Sequence, residues 1–312
     1  MNVELSAEAT DFGHEASRAF EAAGGDQLVE QVERDPTRRA ALVEPVLTDL
    51  GAWELTPRSD SDELEAAAAL CRSAGRIALP YPLAERLSRP VDLDADGLIV
   101  VADRAPAAAI GNLDLQWVAV TLDGLRSRAT ARPSDEPVRE SAFVTSLELI
   151  DLDDRGPADV ALGILLPCWT LLGMLDRAIE LAARHVQERE QFGQPLAGFQ
   201  GVQFQLTDAE VERVGVDVLA SYALWSLAAG RPEAVADALA ARLAALEAAD
   251  VVFRVAHQLH GAQGFCDEVV LSWLSRYSQP LRRFPLGVSG TRAALTRQVG
   301  RRGLTGLYGG TG

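Results

Sequence analysis

Glu188-Arg189-Glu190-Gln191-Phe192-Gly193-Gln194-Pro195, continued by Phe199-Gln200-Gly201-Val202-Gln203, reads as the end of one long helix, a tight corner and the start of another. Gly193 suits the left-handed position just past a helix end, and Pro195 cannot continue that helix. Local structure does not call for the polar set Arg189, Gln191 and Gln203 around Phe192. A planar guanidinium and an amide beside an aromatic ring can hold a phosphate diester and stack a flat heterocycle. The plainer alternative is a corner arginine paired with Glu188 or Glu190.

From residue 157 onward the chain reads helical, with helices expected over roughly 159–190, 199–229, 232–260, 267–279 and 288–302. Arg231-Pro232-Glu233 opens the third, with Pro232 expected in the first turn, where its missing N–H would be unpaired anyway. Glu233 suits the positive end of that helix dipole. Leu239, Leu243, Leu246, Val251 and Val252 continue its apolar seam, and long antiparallel neighbours imply a helical bundle.

Upstream, residues 1 to about 90 also read helical. Leu28, Val29 and Val32, then Ala41, Leu42, Val46 and Leu47, recur at helical spacing. The helix carrying Cys71-Arg72-Ser73-Ala74-Gly75-Arg76 must break at Leu79-Pro80-Tyr81-Pro82. Between these regions, Gly97–Val101, Trp117–Leu122 and Phe143–Leu149 are β-rich and separated by Pro, Gly and Asp, as a sheet of five or six short strands would be. The expected fold class is α+β and mostly α: an N-terminal helical domain (1–90), a reduced middle β-domain (91–156) and a C-terminal helical bundle (157–312).

Composition removes several function classes. The chain of 312 residues carries 29 basic against 45 acidic residues, a net charge of −16. Such a field disfavours nucleic acid and anionic membranes as partners. All the basic residues are arginine, and the absence of lysine excludes Schiff-base chemistry, a pyridoxal-phosphate anchor and a P-loop. Cys71, Cys168 and Cys266 show no C-x-x-C spacing, and Cys266 with His257 and His260 lacks a fourth ligand, so no metal site is expected. Met1-Asn2-Val3-Glu4 lacks a basic n-region, and the apolar run Val160–Leu175 reads as too short and interrupted to span a bilayer. A cytoplasmic soluble protein is the expectation.

A second segment, Gln258-Leu259-His260-Gly261-Ala262-Gln263-Gly264-Phe265, places glycines where backbone approaches a ligand or adopts positive φ. With Arg189-x-Gln191-Phe192-Gly193, it resembles the acyl-CoA dehydrogenase family of flavoenzymes, whose R-x-Q-F-G corner and Q-x-x-G-G-x-G-[FY] segment touch FAD. In that family the corner reaches the FAD of a neighbouring subunit. The helical, β, helical order resembles the family layout, with Ala262 in place of the second glycine and a β-region shorter than usual. The resemblance implies FAD as cofactor, with Arg189, Gln191, Phe192, Gln258, Gly261 and Gly264 as contacts.

The same resemblance exposes two absences. The family base is a Glu before the last helix or at an alternative place in the first C-terminal helix. Counting along this sequence, those positions fall on Pro285 and about Gly163, and neither takes a proton. Nothing between 91 and 155 matches the family's flavin-ring loop; Ser134-Asp135-Glu136-Pro137 has the letters but sits in a polar loop. No catalytic residue is therefore assigned.

The chain is similar to the short degenerate subunits of actinobacterial α2β2 steroid acyl-CoA dehydrogenases. That likeness implies a second acyl-CoA dehydrogenase-like partner supplying the catalytic Glu and the flavin-ring pocket, with an acyl-CoA as substrate and FAD shared between subunits. Two alternatives stand beside it: a non-catalytic scaffold of the same fold without flavin, and a homomeric enzyme with Glu268 or Asp267 as a displaced base. His257 and His260 are expected as a cap or interface pair, Arg282-Arg283 as a solvated pair, and Trp169, Trp225 and Trp273 as packing residues.

Overall fold

The structure is a computed structural model that describes the backbone of residues 4–132 and 143–302, with side chains to residue 300. The Ser134–Pro137 stretch lies outside the described residues.

The first part of the chain folds as α1 (Ala7–Ala22), α2 (Asp26–Arg34), a 3-10 turn, α3 (Arg39–Asp49), α4 (Ser61–Arg76) and α5 (Leu83–Leu87). Asp60 starts α4 by accepting from the N–H groups of Asp62 and Glu63. A side-chain cap of this kind contributes about 1 kcal/mol. The helix ends at Arg76, just before the Pro80-Tyr81-Pro82 break expected from sequence.

A five-stranded sheet follows: β1 (Gly97–Val101), β2 (Ala107–Ala108), β3 (Trp117–Thr121), β4 (Leu125–Ala131) and β5 (Thr145–Arg155), in the spatial order β1-β3-β4-β5-β2. β1 and β3 run parallel with Gly97 opposite Trp117, and the remaining pairs are antiparallel. β1 is buried along its whole length, as a continuous apolar run between two layers should be. Phe143, expected within a strand, instead precedes β5 and faces the guanidinium of Arg39 at 4.2 Å.

The rest is α6 (Pro157–Glu188), a hairpin of β6 (Glu190–Gln191) and β7 (Gln194–Pro195), then α7 (Gln200–Ala228), α8 (Ala234–His260), α9 (Val270–Arg283) and α10 (Val288–Arg302). The expected helices are all present, with the ends of the first and fourth shifted. Pro232 does not sit in the first turn of α8. It lies in the turn before it, because Glu233 is the N-cap and Arg231 folds back to pair with Glu233.

Two glycines set how α6 sits. A Cβ on Gly75 of α4 would stand 1.9 Å from the carbonyl oxygen of Thr170, and one on Gly173 of α6 would stand 1.9 Å from that of Arg72. The helices therefore approach backbone to backbone, which only glycine permits. The start of α6 is tied to the sheet by charge: buried Arg126 of β4 bonds to Asp92, Asp154 and Asp159, and Arg58 pairs with the other oxygen of Asp159. α6, at 32 residues, is longer than the apolar run suggested and long enough to cross a membrane; 83% of its most apolar window is buried inside the fold.

Candidate functional site

The residues singled out from sequence gather at the C-terminal end of α6. The helix stops at Glu188, and Arg189 turns into extended backbone while its N–H still reaches the carbonyl of His185. Glu190 then pairs with Pro195 and Gln191 with Gln194, so the corner is a two-residue β-hairpin. Gly193 is therefore not the residue past the helix; it is the second residue of the hairpin turn. Phe192 and Gly193 have φ of +55° and +82°, and a two-residue hairpin of this type places both central residues at positive φ. Phe192 is 91% exposed and meets Phe199 edge-on at 6.2 Å. An aromatic residue held left-handed costs about 1–2 kcal/mol, and the edge contact with Phe199 offsets part of it.

Arg189 is exposed and, among the described residues, makes no ion pair with Glu188, Glu190 or any other carboxylate. The plainer reading of a corner arginine locked to its neighbour is thus not what the fold adopts. Gln191 is exposed beside it, whereas Gln203 is committed to the chain, donating to the carbonyl of Ala197 at 2.9 Å.

The second segment lies alongside. α8 ends at His260, whose ring stacks on His185 of α6 at 4.4 Å. Gly261 follows at φ +62°, with open space where a side chain would begin, and Gln258 is exposed one turn earlier. Gly264 is buried: a Cβ there would lie 3.0 Å from His260 Cβ and 3.1 Å from His257 Nδ1. A side chain at 264 would therefore press on both histidines, which would have to shift by a few tenths of an ångström. The ring of His257 in turn stacks on exposed Phe265 at 4.4 Å. Burial pushes the pKa of His185, His257 and His260 below the ordinary value, so the array is neutral at pH 7. The two histidines expected as a cap or interface pair thus join the two arms of one surface. Stacking partners from different elements leave no periodic trace in the sequence, which is why the array was not anticipated.

Gly163 and Pro285 are also brought together. They line one cavity of about 40 Å³ with Glu85, Arg242 and Phe284. A second cavity of about 60 Å³, bounded by Arg39, Tyr81, Phe143 and Tyr277, shares Glu85 with it. Arg39 fills this region from the start of α3, donating to the carbonyls of Pro80, Ala109 and Gly111 at 2.6–2.9 Å. Burial draws its guanidinium down to about 10, which still leaves it charged at neutral pH. Arg242 of α8 binds the carbonyls of Leu281, Phe284 and Leu286 on the other side. Glu85 is the one carboxyl on either lining, and burial pushes its pKa up. It was missed in the sequence because Glu85 beside Arg86 on a short helix looks like a solvated pair. Asp267 and Glu268 line neither cavity; both are exposed, and Asp267 pairs with Arg276.

Spaces of 40 and 60 Å³ hold a water or two, since a water takes about 30 Å³ of liquid. They do not fit a flavin ring or a thioester. The exposed edge does fit the dinucleotide end of FAD: an unpaired guanidinium, an amide, an uncovered aromatic ring and an open glycine. A larger cavity, about 490 Å³, lies between the starts of α4, α6 and α8 and presents Arg58 and Arg231 over an apolar floor. Both arginines are already paired, with Asp159 and Glu233, so it offers no spare positive charge. Among the described residues no His, Cys, Asp or Glu cluster could hold a metal.

Residues 165–304 match the acyl-CoA dehydrogenase C-terminal domain. The chain has an acyl-CoA dehydrogenase fold. Over 96% of its length it is similar to the ChsE4-ChsE5 complex from Mycobacterium tuberculosis, with a TM-score of 0.77, 18% identity and 99% of that chain covered. The Tcur3481-Tcur3483 steroid ACAD G363A variant gives 0.76 at 18% identity, with 96% and 99% covered. In sequence, 250 residues are 27% identical to the 3-sulfinopropanoyl-CoA desulfinase of Paraburkholderia xenovorans, covering 78% of this chain and 60% of that protein. The chain thus spans less than two thirds of the length of this curated relative. The matched region includes the hairpin carrying Arg189, Gln191 and Phe192 and the end of α8 carrying Gln258 to Phe265.

Proposed function

We propose that this chain is a subunit of a heteromeric FAD-dependent acyl-CoA dehydrogenase. It holds the dinucleotide part of FAD at its edge while a second acyl-CoA dehydrogenase-like subunit holds the flavin ring and supplies the Glu. The observation that carries this reading is the contrast between an exposed Arg189 with no ion-pair partner among the described residues, beside an exposed Phe192, and the small cavities of about 40 and 60 Å³ at Gly163, Pro285 and Glu85. Bound FAD accepts the hydride in such α,β-desaturations. The residues of this chain do the binding. Arg189 sets its guanidinium on the pyrophosphate, Gln191 adds amide hydrogen bonds, and Phe192 covers a heterocycle. Gln258 and Gly261 close the far side with a side-chain amide and bare backbone, and Gly264 keeps that loop in place. The likeness to solved steroid dehydrogenases favours a steroid-derived CoA thioester as the acyl-CoA, and an α2β2 assembly.

A second reading is a scaffold subunit of the same fold without flavin, which the small size of the interior cavities also favours. The flavin-to-chain ratio separates the two. The expected result is no flavin on the purified chain alone, about one per pair when it is co-expressed with a dehydrogenase-like partner, and a marked fall on Arg189→Ala with assembly intact. Unchanged occupancy in Arg189→Ala would remove the cradle role. A colourless complex, with the partner equally active without this chain, would leave the scaffold.

A further inference from the structure

Arg39 and Arg242 are 2% and 3% exposed, and among the described residues neither makes an ion pair with a carboxylate. The two are satisfied differently. Arg39 commits Nε, Nη1 and Nη2 to three separate carbonyls, and the charge of Glu85 acts on it. Arg242 donates from Nη2 alone, to the carbonyls of Leu281, Phe284 and Leu286. Its Nε is buried with no partner, and Nη1 donates to nothing among the described residues. The one ionisable group that acts on Arg242 is the Cys168 thiol, which burial pushes up to about 11 and so leaves uncharged at neutral pH. A buried cation is costly unless an opposite charge meets it.

Arg242 borders the cavity of about 40 Å³ beside Gly163. The rest of that lining is apolar, including Ile99, Val100, Pro167 and Phe284, with Glu85 as its single carboxyl. Burial favours the protonated form of Glu85, and a protonated carboxyl donates to an anion where a carboxylate would repel it. A water molecule takes about 30 Å³ of liquid, so the space admits one ion of that size and excludes sulfate or a carboxylic acid with a tail. Water would bring no charge to the guanidinium; a small anion would.

We propose that this cavity binds one small monovalent anion, of the size of chloride, against the Arg242 guanidinium. The ion supplies the negative charge that the fold does not, and it holds α8 to the turn that joins α9 and α10, whose carbonyls Arg242 also binds. The test uses the full chain alone and needs neither flavin nor partner. Urea unfolding is followed at fixed ionic strength while sodium sulfate is exchanged for sodium chloride. Sulfate stabilises folded proteins generally, so a gain on moving to chloride reports a site and not bulk salt. Relative to Arg242→Met, which keeps the apolar stem and removes the charge, the wild-type folding equilibrium constant should rise with chloride. The gain should approach about tenfold for each tenfold increase in chloride once the site fills, which is the slope for one ion. Bromide-soaked crystals of the wild-type chain, read by anomalous scattering, give a second measurement that does not depend on the variant folding. One ordered bromide beside Arg242 is expected. Wild type no more stable in chloride than in sulfate, or an Arg242→Met chain that keeps the full chloride gain, would overturn the proposal. Bromide found only on the surface would overturn it as well.

Discussion

Near its start, α6 passes Gly163 beside a cavity of about 40 Å³ walled by Arg242, Phe284 and Pro285, with Arg39 and Phe143 filling the space beyond Glu85. At its other end, Arg189 and Phe192 stand in solvent; among the described residues Arg189 has no ion-pair partner, and Phe192 meets Phe199 edge-on. The interior arginines have every reason to stay, since each satisfies backbone carbonyls that would otherwise be buried and bare. The exposed arginine has none that the chain itself provides. Side chains that serve the fold are satisfied within it, and those left unsatisfied at the surface point to something outside it. Small interior cavities and an exposed edge on one helix fit the proposed contribution to another chain's site.

The sharpest way to break that contrast is Arg39→Ala. It strips one buried and two part-buried carbonyls of their donor and leaves a void, so a loss of about 3–5 kcal/mol in denaturant unfolding is expected. A loss below about 1 kcal/mol would mean the interior is looser than it looks. Gly163→Glu, which places a carboxyl where the resemblance leads one to expect a base, should cost about 1–3 kcal/mol, because even a Cβ there meets Val100 Cγ2 at 2.7 Å. Turnover by that variant alone would show the cavity opens to substrate. At the open edge, Phe192→Gly relieves the left-handed backbone and should leave the stability of the lone chain within about 1 kcal/mol while lowering flavin content of the complex. Arg189→Ala should shift stability least, within about 0.5 kcal/mol, since the side chain pairs with nothing.

The histidine array adds a pH test to the same edge. The folded-state pKa values of His185, His257 and His260 lie below the ordinary value of 6.5, so the unfolded chain takes up protons first as pH falls. Their contribution is complete above about pH 6.5 and is lost as pH drops through the lowered values. Urea midpoints should be level from pH 7 to 8 and fall below pH 6.5. His257→Phe with His260→Phe should flatten that acid limb, and an unchanged slope would place the titration elsewhere.

The helices were legible because apolar spacing and the Pro80-Tyr81-Pro82 break act within a turn or two of chain. The hairpin at Phe192-Gly193 was read as a helix cap, since Gly193 suits either and only strand pairing across the turn distinguishes them. By itself the sequence determined the helical, β, helical order, the Arg189 and Gly261 segments, and the lack of a carboxylate at positions 163 and 285. Whether Arg189 was paired, whether the interior was open, and that Glu85 and three histidines mattered were decided only by the tertiary structure. Pairing and enclosure depend on contacts between residues such as Arg39 and Gly111, or His185 and His260, which are 72 and 75 positions apart, and no local pattern encodes them.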